Sequence, residues 1–168
     1  MNISIKQINV DDWKLFRDIR LLALKTDPAV FGSNFERESV QSENEWKDPL
    51  SSDDCAIFII FNNKIPAGIT AIAVERNDPT GKTAILWGSW LEPDSRGKGI
   101  SDLMYRARID WAKRHPNVEK IVVSHRASNL SSKFANQKHG FKHTRSESKI
   151  WHDGVTEDDV HYELMLNS

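Results

Sequence analysis

Residues 84–111, AILWGSWLEPDSRGKGISDLMYRARIDW, combine a strand, a glycine turn and a helix in one continuous run. The apolar segment 84–91 has the length and the aromatic content of a strand that is buried on both faces. Pro93 ends that strand, because proline cannot continue a β-ladder. After the Gly-Lys-Gly turn at residues 97–99, apolar side chains recur at helical spacing over residues 100–111. The pattern therefore predicts a buried strand, a tight turn and an amphipathic helix.

The start of this helix is a candidate site for a phosphate or pyrophosphate group. The first N–H groups of a helix lack partners inside the helix and point, with the positive end of its dipole, at one place. Gly97 and Gly99 let a ligand approach the backbone closely, while Arg96 and Lys98 add positive charge. The same residues also occur in ordinary surface turns, so the neighbouring residues must decide between the two interpretations.

Those neighbours resemble two motifs of one enzyme family. The segment 91–100, L-x-P-x-x-R-G-x-G-I, is similar to V-x-P-x-x-R/Q-G-x-G-I/V-G/A, the acetyl-CoA motif of the GNAT superfamily of N-acetyltransferases. Asn129 and the Gly140-Phe141 pair stand at the spacing of that family's second motif, N-x-x-A-x-x-x-Y-x-K-x-G-F. Two motifs in register are more specific than either one alone, so the resemblance extends across the second half of the chain.

Composition sets the bounds on the fold and on the partners. The chain has 168 residues, 39% of them hydrophobic and 28% charged, and we expect residues 1–168 to form a single domain. The net charge is -1, from 23 basic and 24 acidic residues, so nothing in the balance favours nucleic acid or an anionic membrane. We expect a cytoplasmic protein, because no apolar run approaches the roughly 18–20 residues of a membrane span and the N-terminus lacks a signal-peptide pattern. The single cysteine, Cys55, fits a reducing compartment.

Upstream of the central run, the sequence predicts one strand and two helices. Residues 3–8 alternate like a half-buried strand. A helix follows an N-cap at Asp11 or Asp12 and ends before Pro28. A second helix is expected over residues 36–46, where acidic side chains predominate. These acidic residues either suit a cationic acceptor or form a solvated helix face.

Two hairpins lead into the central strand. Residues 56–61 and 65–74 are predicted to be strands joined at Asn62-Asn63, because asparagine tolerates the positive φ values that two-residue hairpins demand. Turn-forming residues at 77–81 then connect the second of these strands to the central one. Three antiparallel strands thus precede the glycine turn.

Downstream of the central helix, the sequence predicts a parallel strand and a final hairpin. The central helix is predicted to end at residues 115–117. The β-branched run 121–124 is typical of a buried strand. Strand, helix and strand in this order imply a parallel pair with a right-handed crossover. The remaining predicted elements are a helix over 129–138, capped by Ser128 or Asn129 and ended by Gly140, and strands over 141–151 and 160–166 about Asp153-Gly154. The order β-α-α-β-β-β-α-β-α-β-β is an α/β (α+β) fold with a mixed sheet.

The resemblance implies the same architecture and adds a cofactor. It implies a mostly antiparallel sheet of about seven strands and about four helices, whose parallel central strands splay apart after about Trp90 and Val123. Acetyl-CoA would lie in that gap, which agrees with the general position of ligands beyond the carboxyl ends of parallel strands. Ser101 departs from the family's usual Gly or Ala, yet its hydroxyl is small enough to fit. The residues that the resemblance assigns to the cofactor are Trp90 and Leu91 for pantetheine, the turn residues Arg96, Gly97, Lys98, Gly99, Ile100 and Ser101 for the pyrophosphate, and the second-motif positions Asn129, Ser132 and Asn136.

The resemblance implies direct transfer of an acetyl group to a primary amine of a small molecule or a peptide. A base removes the ammonium proton, an N–H steadies the oxyanion and an acid protonates the departing thiolate. The family's usual acid is a tyrosine, and Asn136 stands in its place. An amide donates a hydrogen bond but gives up no proton at neutral pH. Tyr105 and a water are the candidate replacements, and the alternative function is a GNAT-fold protein that binds acetyl-CoA with little or no turnover.

The catalytic base has two candidates. His125 comes first, because imidazole titrates in the useful range and the residue follows the predicted splaying strand. Glu75, at the end of the third strand, comes second, and a histidine that is simply packed at a strand end is the competing interpretation. His139 and His143 are four residues apart, but Gly140 interrupts any helix between them, so no metal site is predicted.

Partners other than the amine acceptor are less defined by the sequence. A protein-interaction domain with an incidental basic turn is a third interpretation, and a homodimer is compatible with related folds. The six tryptophans fall mostly at apolar-periodic positions, so core packing is their expected role, although Trp87 and Trp90 can also line a cleft. The identity of the acceptor depends on loops near residues 31–38 and on the C-terminal hairpin.

Overall fold

Seven strands form one mixed sheet with helices on both faces in the computed structural model, which describes residues 1–166. The spatial order of the strands is β1-β2-β3-β4-β5-β7-β6. The strands are β1 (Ile3–Gln7), β2 (Cys55–Asn62), β3 (Ile65–Val74), β4 (Thr83–Leu91), β5 (Lys120–Arg126), β6 (Lys142–Ile150) and β7 (Thr156–Met165). The helices are α1 (Trp13–Thr26), α2 (Phe35–Glu38), α3 (Glu43–Lys47), α4 (Ile100–Arg114) and α5 (Leu130–Lys138). The predicted mixed sheet is confirmed, and the part of the chain described has five helices rather than about four.

The pairing of β4 with β5 is parallel and very short. Only the pairs Thr83 with Lys120, Ala84 with Ile121 and Ile85 with Val122 join the two strands. Beyond them β4 stays paired with β3, and β5 stays paired with β7, so a gap opens between β4 and β5. The predicted splay is confirmed. Its predicted start near Trp90 was wrong on β4, where pairing already ends at Ile85.

A β-bulge in β4 lies at the edge of this gap. The register of β4 against β3 shifts between Ile69 and Ala71, and Gly88 has φ +68 there. Glycine adopts this left-handed conformation without the strain that a side chain would cause. Because the bulge inserts one residue, Trp87 and Trp90 both pack on the side of the sheet that faces α1. The bulge therefore interrupts the regular alternation of β4 side chains between the two faces of the sheet.

The core consists of two main clusters, one on each face of the sheet. We call the face covered by α1 the α1 face and the one covered by α4 the α4 face. Helix α1 buries its apolar stripe, and helix α4 does the same on the other side, as their helical spacing predicts. The α1 cluster includes Phe16, Ile19, Leu24, Trp46, Ile57, Ile59, Ile69 and Trp90. The α4 cluster includes Phe58, Ile72, Leu86, Tyr105, Trp111, Ile121, Phe141 and Tyr162.

The predicted helix over residues 36–46 is two short helices, α2 and α3. Ser42 caps α3, because its hydroxyl accepts the Glu45 N–H while the Glu45 carboxylate accepts from the Ser42 backbone. This capping box starts a new helix and separates it from α2. The prediction of one continuous helix was therefore wrong at this point.

Two local predictions also need correction by one or a few residues. The hairpin between β2 and β3 turns at Asn63 and Lys64, with φ 51 and 69, instead of at Asn62-Asn63. The N-cap Asp12 of α1 makes no side-chain cap hydrogen bond, and Asn9 caps a preceding turn of 3₁₀ helix instead. Within residues 1–166, no helix has the length and apolar character to cross a bilayer.

Candidate active site

The glycine turn forms an open cradle at the start of α4. Gly97 and Gly99 have φ +74 and +77, and a Cβ at either position would meet nothing within 4 Å. Gly99 is the N-cap of α4 and provides no side-chain hydrogen bond to the first amides of the helix. Residues 97–99 are exposed, while Ile100 is buried beneath them. The turn thus presents backbone donors to solvent at the carboxyl end of β4.

Arg96 holds this turn in place through two other parts of the chain. Its Nε donates to the Leu91 carbonyl at 2.9 Å, and its Nη2 donates to Oδ2 of Asp27 at 2.6 Å. The same Asp27 oxygen accepts from Nε1 of Trp90 at 2.7 Å. Burial acts to raise the pKa of Asp27, but the hydrogen bonds from Trp90 and Arg96 outweigh it, so the pKa lies below its ordinary value. The side chain of Arg96 is committed to the turn, while that of Lys98 stays exposed.

A buried cation lies below the gap on the α4 face. Nη1 of Arg108 donates to Oγ of Ser89 at 2.9 Å, and Ser89 shares a 2.7 Å hydrogen bond with Thr70. Arg108 is 3% exposed, and its Nε donates to the Met104 carbonyl within α4. Burial lowers the pKa of Arg108 to about 10. Among residues 1–166 no carboxylate lies within ion-pair distance of this guanidinium, which leaves a positive charge next to the splayed part of β4.

Asn136 and Tyr105 form a pair between α4 and α5. The Tyr105 hydroxyl donates to Oδ1 of Asn136 at 2.5 Å, and the tyrosine ring stacks on His139. Nδ2 of Asn136 is buried and has no hydrogen-bond partner within the described part of the chain. Burial raises the pKa of Tyr105, so its hydroxyl stays protonated at neutral pH. A free amide donor therefore stands where the family motif has its tyrosine.

Two further positions of the second motif form the start of α5. Asn129 is the N-cap, and its Oδ1 accepts the Ser132 N–H at 3.2 Å. This hydrogen bond satisfies one of the free amides of the helix. Asn129 and Ser132 thus fix the orientation of α5, and with it the place of Asn136.

The two sequence candidates for the base lie away from the α1 side of the gap. His125 is 6% exposed, its Nδ1 is 2.7 Å from the Arg126 carbonyl oxygen, and its Nε2 is 3.2 Å from the Tyr162 hydroxyl on the α4 face. Glu75 follows β3 at the closed end of the sheet, where its N–H donates to the carbonyl of Thr83. That end of β4 is opposite to the glycine turn.

A cavity of about 270 Å³ lies on the α1 face beside Trp87. Its inner wall contains a buried ion pair in which Arg20 donates two 2.9 Å hydrogen bonds to the Glu38 carboxylate. A Cβ at Gly88 would lie 3.3 Å from Nη1 of Arg20, so the pair is directly below the bulge of β4. Glu38 is therefore neither part of a solvated face nor free to hold a cation. No local pattern in the sequence indicated this pair, because its partners come from α1 and α2.

A second group that spacing did not reveal lies on the β6–β7 hairpin. Glu147, Asp159 and His161 bring their polar atoms within 4.8 Å of one another. Pairing of β6 with β7 sets Glu147 directly opposite Asp159. The three side chains come from two strands, so only the register of the hairpin brings them together.

Comparison with known proteins agrees with this geometry. The family model described as acetyltransferase (GNAT) family matches residues 16–141. The chain belongs to the GNAT acetyltransferase family. As a GNAT protein it is an acyltransferase, and the cofactor of the family is acetyl-CoA. A search of curated proteins finds no match.

Solved GNAT structures share the fold over the full length of this GNAT chain. A GNAT acetyltransferase from Streptococcus pneumoniae is 18% identical, with a TM-score of 0.83 and coverage of 99% of this chain and 100% of that one. An N-acetyltransferase from Staphylococcus aureus Mu50 is 23% identical, with a TM-score of 0.81 and coverage of 99% and 100%. A putative acetyltransferase, yncA, from Salmonella typhimurium with acetyl-CoA is 19% identical, with a TM-score of 0.81 and coverage of 100% and 96%.

Proposed function

We propose that this GNAT protein transfers the acetyl group of acetyl-CoA to a primary amine of a small molecule or a peptide. The observation that carries the proposal is the gap between β4 and β5, which opens after Ile85 and Val122 and has the glycine turn at its mouth. Acetyl-CoA supplies a thioester whose carbonyl carbon an amine can attack. The proposal takes residues 1–168 as one domain that works in the cytoplasm, a reducing compartment with which a single cysteine, Cys55, is consistent.

The cofactor would be held chiefly by the backbone. The amides of Gly97, Lys98, Gly99, Ile100 and Ser101 surround the positive end of α4, where a pyrophosphate is stabilised by both hydrogen bonds and the helix dipole. The Lys98 side chain adds positive charge at the same place. Along β4, the edge that faces the gap leaves backbone groups near Trp90 and Leu91 for the pantetheine arm.

Two buried side chains support the departure of the thiolate. Asn136 offers an unpartnered Nδ2–H, and Arg108 adds a positive charge without a carboxylate partner among residues 1–166. Negative charge that develops on sulfur is stabilised by both, because hydrogen bonds and charges act strongly where water is excluded. These groups replace part of what a tyrosine acid would contribute. The proposed reaction therefore does not require a proton from Asn136.

The acceptor would enter from the α1 face. The cavity there is lined by aromatic side chains, including Phe16, Trp46 and Trp87, and by the Arg20–Glu38 pair. Aromatic walls bind the apolar part of an amine, while the ion pair and the nearby Arg37 and Glu45 offer polar contacts. This composition is compatible with both a small amine and the N-terminus of a peptide.

The alternative function is binding of acetyl-CoA with little or no turnover. The observation that favours it is Asn136, whose amide cannot serve as the acid that the family's tyrosine provides. Loss of a general acid lowers a rate by about 10² to 10⁴. A thiol is a good leaving group, so this loss slows the reaction without forbidding it.

Two measurements on the same protein distinguish these functions. Calorimetry with CoA measures binding, and a thiol-release assay measures turnover of acetyl-CoA with polyamines, aminoglycosides and peptides that have a free N-terminus. We expect binding and acceptor-dependent thiol release. Binding without release above background from any acceptor would favour the alternative, and absence of CoA binding would exclude both functions.

A further inference from the structure

The cluster of Glu147, Asp159 and His161 faces the same side of the sheet as the acceptor cavity. His161 pairs with Ser124 of β5 and follows the strand alternation, so it points away from its neighbour Tyr162 in the α4 cluster. Arg126, two residues beyond Ser124, shares this side and donates to the Ala29 carbonyl in the loop after α1. His161 thus lies on the α1 face of the hairpin.

The position of His161 along the strand places it beside the gap. Ser124 is exposed and lies two residues beyond Val122, the last residue of β5 that pairs with β4. Neighbouring strands are about 4.8 Å apart, so His161 is one strand away from the edge of the gap. Ser89 lies on β4, in the middle of the sheet, and is nevertheless exposed. It therefore marks the β4 edge of the gap. His161 thus lies one strand from the gap on the α1 face, the side from which the acceptor is proposed to enter.

We propose that His161 is the general base of the acetyl transfer and that Asp159 and Glu147 position its ring. This inference rests on the proposed acetyltransferase function. Nε2 of His161 is 3.2 Å from Glu147 Oε1 and 3.3 Å from Asp159 Oδ2, although neither contact has hydrogen-bond geometry. Two negative charges this close to Nε2 favour the tautomer that carries its proton on that nitrogen. Nδ1, which has no hydrogen-bond partner among residues 1–166, is left to accept a proton from the acceptor.

Two protons leave the acceptor nitrogen, and a C–N bond replaces the C–S bond. His161 Nδ1 takes the first proton from the ammonium group of the acceptor, and the freed electron pair of the nitrogen forms the new C–N bond. The C–S bond then breaks and its electron pair leaves with sulfur; the nitrogen gives its second proton to solvent, and the thiolate takes one proton from solvent. His161 returns its proton to solvent. The carboxylates stabilise the imidazolium ion that exists between these events.

The charges around His161 favour this role over that of His125. Glu147 and Asp159 contact the ring of His161. Arg145 lies opposite His161 in the β6–β7 register, and its side chain donates to Glu147. The other charged groups of this face are Glu163, which is 3.8 Å from Lys120, and Arg126, which is held by Asp153 and Glu157. His125, in contrast, has both ring nitrogens in contact with the Arg126 carbonyl and the Tyr162 hydroxyl.

The test compares His161→Gln with His143→Gln. His143 lies on the same hairpin but opposite Tyr162, so its replacement controls for the loss of a hairpin histidine. Each protein is measured for CoA affinity by calorimetry, for thermal unfolding, and for kcat/KM of the amine between pH 6 and pH 10. For His161→Gln we expect kcat/KM at neutral pH to fall about 10² to 10³-fold with unchanged CoA affinity, as for loss of a general base. For His161→Gln, kcat/KM should rise in direct proportion to the fraction of the amine that is deprotonated. His143→Gln should keep the wild-type pH profile.

Asp159→Asn tests the positioning residue. It should lower kcat with little change in KM, because the ring loses one of the two carboxylates that position it. If His161→Gln keeps the wild-type rate and profile, the inference is wrong while the proposed function stands. If the wild-type protein binds CoA but acetylates no amine, both fail. Activity that is lost with EDTA and restored by Zn²⁺ would also overturn the inference, because the cluster would then bind a metal.

Discussion

The Tyr105 hydroxyl lies 2.5 Å from Oδ1 of Asn136 and occupies the acceptor atom of that amide. Tyr105 belongs to α4, which begins directly after the glycine turn, and Asn136 belongs to α5. The hydrogen bond therefore fixes which way the amide faces: Oδ1 toward α4, and Nδ2 free within the described residues. In the proposed reaction, this orientation would offer the leaving sulfur a hydrogen-bond donor but no proton.

Tyr105→Phe should reduce stability more than it reduces turnover. The change leaves Oδ1 of Asn136 buried without a donor, which costs about 1–3 kcal/mol of unfolding free energy. Since the hydroxyl orients Asn136 and is not assigned as the acid, kcat should fall less than about tenfold. Urea unfolding and the thiol-release assay measure the two effects. A fall in kcat of a hundredfold or more would instead identify Tyr105 as the acid.

Gly99→Ala should weaken CoA binding. At φ +77 an alanine is strained by about 1–2 kcal/mol, and its methyl group enters the open space from which the ligand approaches. We expect the Kd for CoA, measured by calorimetry, to rise about tenfold, the equivalent of about 1.4 kcal/mol. Gly32→Ala is the control, because Gly32 has no positive φ and nothing within 4 Å of its Cβ position. Equal affinities of the two variants would argue against the turn as the cofactor site.

Glu38→Gln should destabilise the protein at neutral pH and have little effect in acid. Burial acts to raise the pKa of Glu38, but its hydrogen bonds and charge interaction with Arg20 outweigh this, so the folded pKa lies below the ordinary value of 4.5. A lowered folded pKa means that the pair stabilises the fold above about pH 4.5, and that this stability is lost as the pH falls through the folded pKa.

The size of this effect follows from leaving Arg20 buried without its partner. We expect a loss of about 3 kcal/mol at pH 7, measured by urea unfolding, and a much smaller difference from wild type near pH 3. Glu36→Gln, on the same short helix but exposed, is the control. A difference that stays constant from pH 7 to pH 3 would show that the charge of Glu38 is not what stabilises the fold.

Arg108→Met should lower turnover while stability changes little. Burial of this cation is costly, as its pKa of about 10 indicates, and methionine fills a similar volume without a charge. We expect the unfolding free energy to stay within about 1 kcal/mol of wild type, because a buried charge is often replaced by an apolar side chain without loss. We also expect kcat to fall about 10 to 100-fold, since the charge near the sulfur is removed.

Arg106→Met is the matched control for this substitution. Arg106 lies on the same helix but is exposed, so its replacement should change neither quantity. Unfolding of Arg108→Met at ordinary temperature would show that Arg108 serves the fold and not the reaction. Both variants can be measured with the urea and thiol-release assays.

Local features of the sequence predicted the glycine turn and its flanking elements well. The start of α4 at Ile100, the break at residues 115–117 and a cap of α5 at Ser128 or Asn129 depend on residues close together in the chain. The structure has the start and the break as predicted, and Asn129 is the cap. The presence of seven strands, in their order along the chain, also followed from turns and spacing. Patterns among residues close together in the sequence were sufficient to predict these elements.

Features that depend on strand register were predicted less well. The β4–β5 pairing ends at Ile85 because a bulge at Gly88 turns β4, and the alternation of residues 84–91 does not show that bulge. His161 and Glu147 meet only because β6 pairs with β7 across a register shift between His143 and Arg145. His125, which follows the splaying strand in the sequence, was therefore the first candidate for the catalytic base. His161 lies next to that strand only in the folded structure.

Within residues 1–166, the β-ladder between the four-stranded half of the sheet, β1 to β4, and the three-stranded half, β5 to β7, consists of three parallel rungs. A pantetheine arm that pairs with β4 would act as an eighth, non-protein strand and close the seam between the halves. Binding would then stiffen the protein along that line, and amides of Trp87, Ser89 and Ser124 should exchange with deuterium more slowly when CoA is present.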